Sequence, residues 1–114
     1  MLNNQEKTGG SQHQLGKVTG QSGNAILVQS DNDYKSLRMA APYGITWLPP
    51  KYAVAVVLSS EIGNGSNDIC VGTRMEKSGI APGELLLESL GGARIYLKNN
   101  GDVVINGQVF PKEE

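Results

Sequence analysis

Few residues of this 114-residue chain are of a type and spacing that could do chemistry. Asp31 and Asp33 stand two apart and could form a carboxylate pair. They fall in Ser30-Asp31-Asn32-Asp33, residues whose side chains hydrogen-bond their own backbone in turns. The segment also lacks the further ligands and closing glutamate of a calcium loop. Gly63-Asn64-Gly65 is rich in glycine, but no Gly-Lys-Ser/Thr follows to make a phosphate loop. Asn64-Gly65-Ser66 matches a glycosylation acceptor, which carries little weight in a chain without a secretory signal. His13, the only histidine, falls in a polar N-terminal stretch, and no serine or cysteine nucleophile has an evident histidine partner. Cys70 is the only cysteine, so one chain can build neither a disulfide nor a multi-thiolate zinc site. Within Ile69-Cys70-Val71 it reads as a buried apolar side chain. These residues predict a protein that is not an enzyme and carries no cofactor and no metal.

Composition narrows the remaining classes. Apolar residues make up 39% and charged residues 18%, too apolar for a disordered chain and too mixed for a membrane protein. No stretch approaches the roughly 20 apolar residues that cross a bilayer as a helix. A net charge of −1 offers no basic field for a polyanion. The first 14 residues are polar and lack the apolar run of a signal peptide, so they read as a disordered tail. The expectation is a chain made in the cytoplasm that leaves the cell, if at all, by lysis or within a particle.

The elements that would position any site follow from periodicity. From Leu15 onward apolar residues alternate with period two, and no ten-residue stretch carries a helical stripe. Leu15–Thr19, Ala25–Gln29 and Tyr34–Met39 are strand candidates, the third with one slip in its alternation that suggests a bulge. The first turn is expected over Gly20–Asn24. Pro42, Pro49 and Pro50 exclude a central strand between them, so residues 41–50 read as a loop crossing with an edge segment at Ile45–Leu48. Tyr52–Ser59 is the most β-prone run and, being continuously apolar, predicts a strand buried on both faces. Ile69–Arg74 completes a set of five that fits a small OB-type barrel with glycine-rich turns.

The last third behaves differently. After a linker over residues 76–83, three short segments follow: Glu84–Leu90, Arg94–Lys98 and Asp102–Asn106. They end at Gly91-Gly92, Asn100-Gly101 and Asn106-Gly107, and Asn-Gly favours tight turns with positive φ. One parity is apolar throughout: Leu85, Leu87, Ile95, Leu97, Val103 and Ile105. So short a meander is marginal unless its apolar face is covered, either by the barrel or by copies from other chains. Assembly is the reading preferred here, because an open edge left on an isolated sheet invites aggregation.

Several segments in this order and spacing resemble the Mu-like baseplate spike family, the baseplate assembly protein V group. They are Ala41-Pro42-Tyr43-Gly44-Ile45, Pro49-Pro50, Ala55-Val56-Val57-Leu58 and Ile69-Cys70-Val71-Gly72, then Gly79-Ile80-Ala81-Pro82-Gly83-Glu84 and Arg94-Ile95-Tyr96-Leu97-Lys98, and last Gly101-Asp102-Val103-Val104-Ile105-Asn106-Gly107. Together they span roughly residues 15–110. The resemblance implies an OB-fold barrel over 15–75, the linker over 76–83, and an intertwined triple-stranded β-helix over 84–110 formed in a homotrimer. Residues 1–14 and 111–114 would be tails. Leu85, Leu87, Ile95, Leu97, Val103 and Ile105 would then face the shared trimer interior. It further implies a virion component: the central spike of a contractile tail's baseplate, made in the bacterial cytoplasm. Such a spike caps the tail tube and is driven through the target cell envelope. Its partners would be other baseplate hub and tail tube proteins, with Trp47 a candidate contact residue.

The sequence departs from that family in lacking the His-x-His pair that binds iron near the tip of many relatives. The chain would be either a minimal spike or one whose tip is supplied by a separate spike-tip protein. The alternative is an OB-fold protein that binds single-stranded nucleic acid, with Tyr34, Trp47 and Tyr52 as stacking residues. Ten basic against eleven acidic residues weigh against it, so no nucleic acid is expected.

Overall fold

The computed structural model describes residues 12–31, 33–59, 68–76 and 79–113, with the backbone alone at Gln12 and His13. Residues 1–11 of the expected N-terminal tail (1–14) and residues 63–67 of the glycine-rich loop (63–68) lie outside the described residues. The chain divides into two compact units, 1–74 and 75–114, and each is described by itself. Both are built of strands, and no helix occurs among the described residues.

The first unit is a closed barrel of five strands: β1 (Gln12–Ser22), β2 (Ala25–Gln29), β3 (Asp33–Met39), β4 (Val54–Ser59) and β5 (Ile69–Thr73). The hydrogen-bonded order is β1-β2-β3-β5-β4, closed by β1 against β4. Only β3 and β5 run parallel, and the arrangement is OB-like. β1 serves two neighbours: its first half pairs with β4 and its second with β2. That double duty explains its eleven residues and corrects two expectations. The strand begins at Gln12, before Leu15, so His13 pairs with Leu58 and Gln14 with Val57 instead of lying in a tail. It also runs on through Gly20 to Ser22, which narrows the turn to Gly23-Asn24.

Closure needs sharp local bending, and three bulges supply it. An extra residue lies on β1 at Thr19, on β3 between Tyr34 and Leu37, and on β5 at Val71. The slip in the Tyr34–Met39 alternation is the second of these. Inside lie Val18, Ile26, Val28, Leu37, Ala55, Val57 and Cys70, all essentially without solvent contact. The interior is tight where β1 meets β2: a Cβ on Gly16 would lie 2.5 Å from Val28 Cγ1. The expectation that the Tyr52–Ser59 run is buried on both faces holds for one face. Ala55 and Val57 point inward, whereas Val54, Val56 and Leu58 are half-buried on the outside.

No strand forms over Ile45–Leu48. The 40–53 loop is instead held by its prolines and by specific bonds. Pro49 is buried, Ile45 N–H donates to Pro42 O (3.1 Å), and Tyr52 N–H donates to Val18 O (2.8 Å). Tyr52 adopts φ 78°, a left-handed conformation uncommon for a residue with a side chain.

The second unit is an antiparallel meander of four strands: β6 (Leu85–Glu88), β7 (Arg94–Leu97), β8 (Val103–Ile105) and β9 (Gln108–Phe110). Three segments were expected; the fourth, β9, is too short to show an alternation of its own. Its turns carry the geometry that the glycines suggest. Asn106 and Gly107 both have positive φ (49° and 86°) and make a two-residue turn of the type I′ class. Gly92 and Gly101 close three-residue loops of matching design, with Gly92 N–H bonded to Ser89 O and Gly101 N–H to Lys98 O. The tail expected after residue 110 is not free throughout, because Lys112 lies over Gly101.

Candidate functional site: an open apolar sheet face

Residues directly opposite one another across antiparallel strands share a face of the sheet. The register of the meander therefore sorts its side chains into rows. Leu85, Leu97, Val103 and Phe110 form one row, and Leu87, Ile95, Ile105 and Gln108 the next on the same face. All six residues read from the sequence as interior to an assembly lie on this face, joined by Phe110, which the sequence reading missed. Within the chain the face is open. Leu85 and Leu87 are 59% and 60% exposed, and Ile95, Leu97, Ile105 and Phe110 between 39% and 45%. Covering the open half of these side chains would contribute on the order of 6 kcal/mol per chain, taking about 2 kcal/mol for each complete side chain.

The reverse face is partly covered by its own chain, with Val109 beside Val104 still 54% exposed. Leu86, Tyr96 and Val104 form its half-buried centre, flanked by charges. Arg94 and Lys98 lie 5.9 and 5.8 Å from the Tyr96 ring, covering it with their stems and cations. Arg94 also meets Glu88 (3.6 Å). Glu84 anchors the start of the sheet. Its carboxylate accepts bonds from Tyr96 Oη–H (2.6 Å), Asn99 N–H (2.9 Å) and Ala81 N–H (3.1 Å). These donors, the Tyr96 hydroxyl first, lower its pKa from the ordinary carboxylate range to about 2, and Lys98 adds to the effect. The same bond raises the Tyr96 phenol, whose proton is held by the carboxylate. The turn before it has Pro82 and Gly83 (φ 95°) at its centre, closed by Glu84 N–H on Ala81 O.

The remaining sequence candidates are dispersed. Trp47 is half-buried against the barrel core, and its Nε1–H donates to Ala40 O at 2.8 Å. It organises the 40–53 loop, whose outward side chains are Tyr43, Ile45, Leu48 and Tyr52. Tyr34 packs on the core with its hydroxyl bonded to Gln14 Nε2 (2.7 Å), while Gln14 Oε1 accepts from Ser30 Oγ. Asp31 and Asp33 are exposed around the β2–β3 turn. Cys70 is buried, and burial raises its thiol pKa, as expected of an unreactive side chain. Among the described residues no cluster of three or more His, Cys, Asp or Glu side chains could hold a metal ion.

No protein family, curated protein or solved structure matches the chain.

Proposed function

We propose that this chain is a structural, non-enzymatic central spike of a contractile phage-type tail baseplate, working as a homotrimer. The open apolar face of the meander carries the reading. A sheet with one face salt-bridged and ring-stacked, and the other lined by seven apolar side chains, is built to be covered. Its strands are only three or four residues long, so each wall is about 10–13 Å wide at 3.3 Å per residue. Three such walls would close a narrow prism whose apolar rows meet at one axis.

The assembly we propose is the intertwined triple-stranded β-helix, in which three copies of the β6–β9 meander turn their apolar rows to one shared axis. A rigid apolar axis suits a part that transmits thrust from a contracting sheath into a cell envelope. Hub and tube proteins would meet the barrel, in the virion baseplate or an equivalent tail-like particle.

Of the three rings the nucleic-acid alternative would use, Tyr52 alone is exposed (67%), with Lys51 beside it. Trp47 and Tyr34 are committed to packing and hydrogen bonds. The depression along β3 mixes Asp33 and Asp68 with Lys35 and Arg38.

Light scattering across a tenfold or greater dilution tests the assembly. A concentration-independent mass of three chains supports the spike. A dimer would point to two sheets packed face to face, and a monomer would sink the reading and return single-stranded nucleic acid to consideration.

A further inference from the structure

The geometry points to a docking surface on the barrel, centred on Arg38 and the 41–52 loop, for a protein segment that presents a carboxylate between apolar side chains. It does not rest on the trimer, since every residue involved belongs to the first unit.

Folding leaves this loop with more apolar surface than it uses. Tyr43 is fully exposed, Tyr52 is 67% exposed, and Ile45 and Leu48 are about half open. The loop is nonetheless fixed by Pro42, Pro49 and Pro50, by the Trp47 bond to Ala40 and by the Tyr52 bond to Val18. A partner would meet a preformed surface and avoid the entropy of ordering it. The left-handed backbone at Tyr52 fits that account, because strain of this kind persists where surrounding structure holds a side chain in place.

Beside these residues runs a shallow groove of about 310 Å³, lined by Arg38, Met39, Ile45, Trp47 and Leu48. Arg38 is its one charged group, and among the described residues its side chain makes no ion pair. It also borders the depression holding Asp33 and Asp68.

Charge decides the occupant. No acidic residue occurs between Asp33 and Glu61, where the charged residues are Lys35, Arg38 and Lys51. A segment with a single acid would meet Arg38, the one charge lining the groove, and a guanidinium binds a carboxylate through two parallel bonds. An apolar segment without acid would leave Arg38 desolvated and unpaired. Single-stranded nucleic acid would bring a run of phosphates past Asp33 and Asp68, which repel them, and Trp47 offers no free ring with its indole packed and its N–H engaged.

The test is selection of random peptides displayed on phage against the immobilised full chain, followed by amide chemical-shift mapping with the synthetic winner. The expected consensus carries Asp or Glu next to Leu, Ile or Phe, and its peptide shifts the amides of Arg38, Ile45, Trp47 and Leu48. Arg38→Glu should weaken it by roughly tenfold or more, and exchanging the peptide's acid for Lys should restore binding to that variant. Unchanged amide shifts elsewhere in Arg38→Glu would establish that it folds. Winners without an acid, shifts confined to other strands, no enrichment at all, or a dT oligonucleotide that shifts the same amides would each overturn the proposal.

Discussion

Glu84 shows how much one side chain can hold together on a small sheet. Three donors from separate positions, Tyr96, Asn99 and Ala81, converge on a carboxylate at the solvent boundary. Because its folded-state pKa is lowered to about 2 from an ordinary value of 4.5, the clamp stabilises fully above the unfolded value. That contribution fades as pH falls from 4.5 through about 2. Glu84→Gln should therefore lower the thermal midpoint at pH 7, with the gap to the parent closing progressively below pH 4.5. Melting curves across that range check it, and a gap that stays constant would mean the charge plays no part. The sequence offers a glutamate before a strand and a tyrosine twelve residues on, but nothing in it announces the bond between them. Such a bond depends on register, which spacing alone does not fix.

At the level of elements, the barrel was legible wherever local chemistry dictates geometry. Period-two alternation, and for β4 a continuous β-prone run, located four of its strands closely, and the slip at Tyr34–Met39 marked a real bulge. What escaped notice was set by tertiary pairing. Gln12–Gln14 look like a polar tail, yet they form strand because β4 needs a partner along its whole length. Polar residues paired in a strand carry no apolar signature. The same holds for β9, where Val109 and Phe110 gain meaning only opposite Val104 and Val103. Gly16 tests the tightness of the barrel wall. A methyl there would sit 2.5 Å from Val28 Cγ1 and 3.1 Å from Ser30 Cβ. Gly16→Ala should destabilise the barrel by about 1–3 kcal/mol, as overpacking does. Urea unfolding is the measurement, and a variant as stable as the parent would mean that β1 and β2 separate there without penalty.

For the molecule as a whole, the apolar face lies in a unit distinct from the barrel, so the two should be separable. The barrel closes its own ladder and buries its own core, and nothing in its pairing calls on residues beyond Arg74. A chain ending at Arg74 should remain folded, with the barrel's amide spectrum, but should sediment as a monomer. A truncated chain that still forms a tight trimer would place the assembly surface in the barrel. The complementary change leaves the length intact. Leu97 and Ile105 occupy different rows and neighbouring strands of the open face. Leu97→Asp or Ile105→Asp would bring one carboxylate from each chain toward a shared apolar axis, at roughly several kcal/mol apiece. In a single chain each site is about 40% exposed, so a monomer can tolerate the charge. The substitution should therefore abolish the oligomer while leaving a folded monomer, a separation that light scattering and circular dichroism resolve together. Loss of folding along with assembly would show that the meander cannot stand without its copies. Retention of the full trimer would mean that these side chains face water after all.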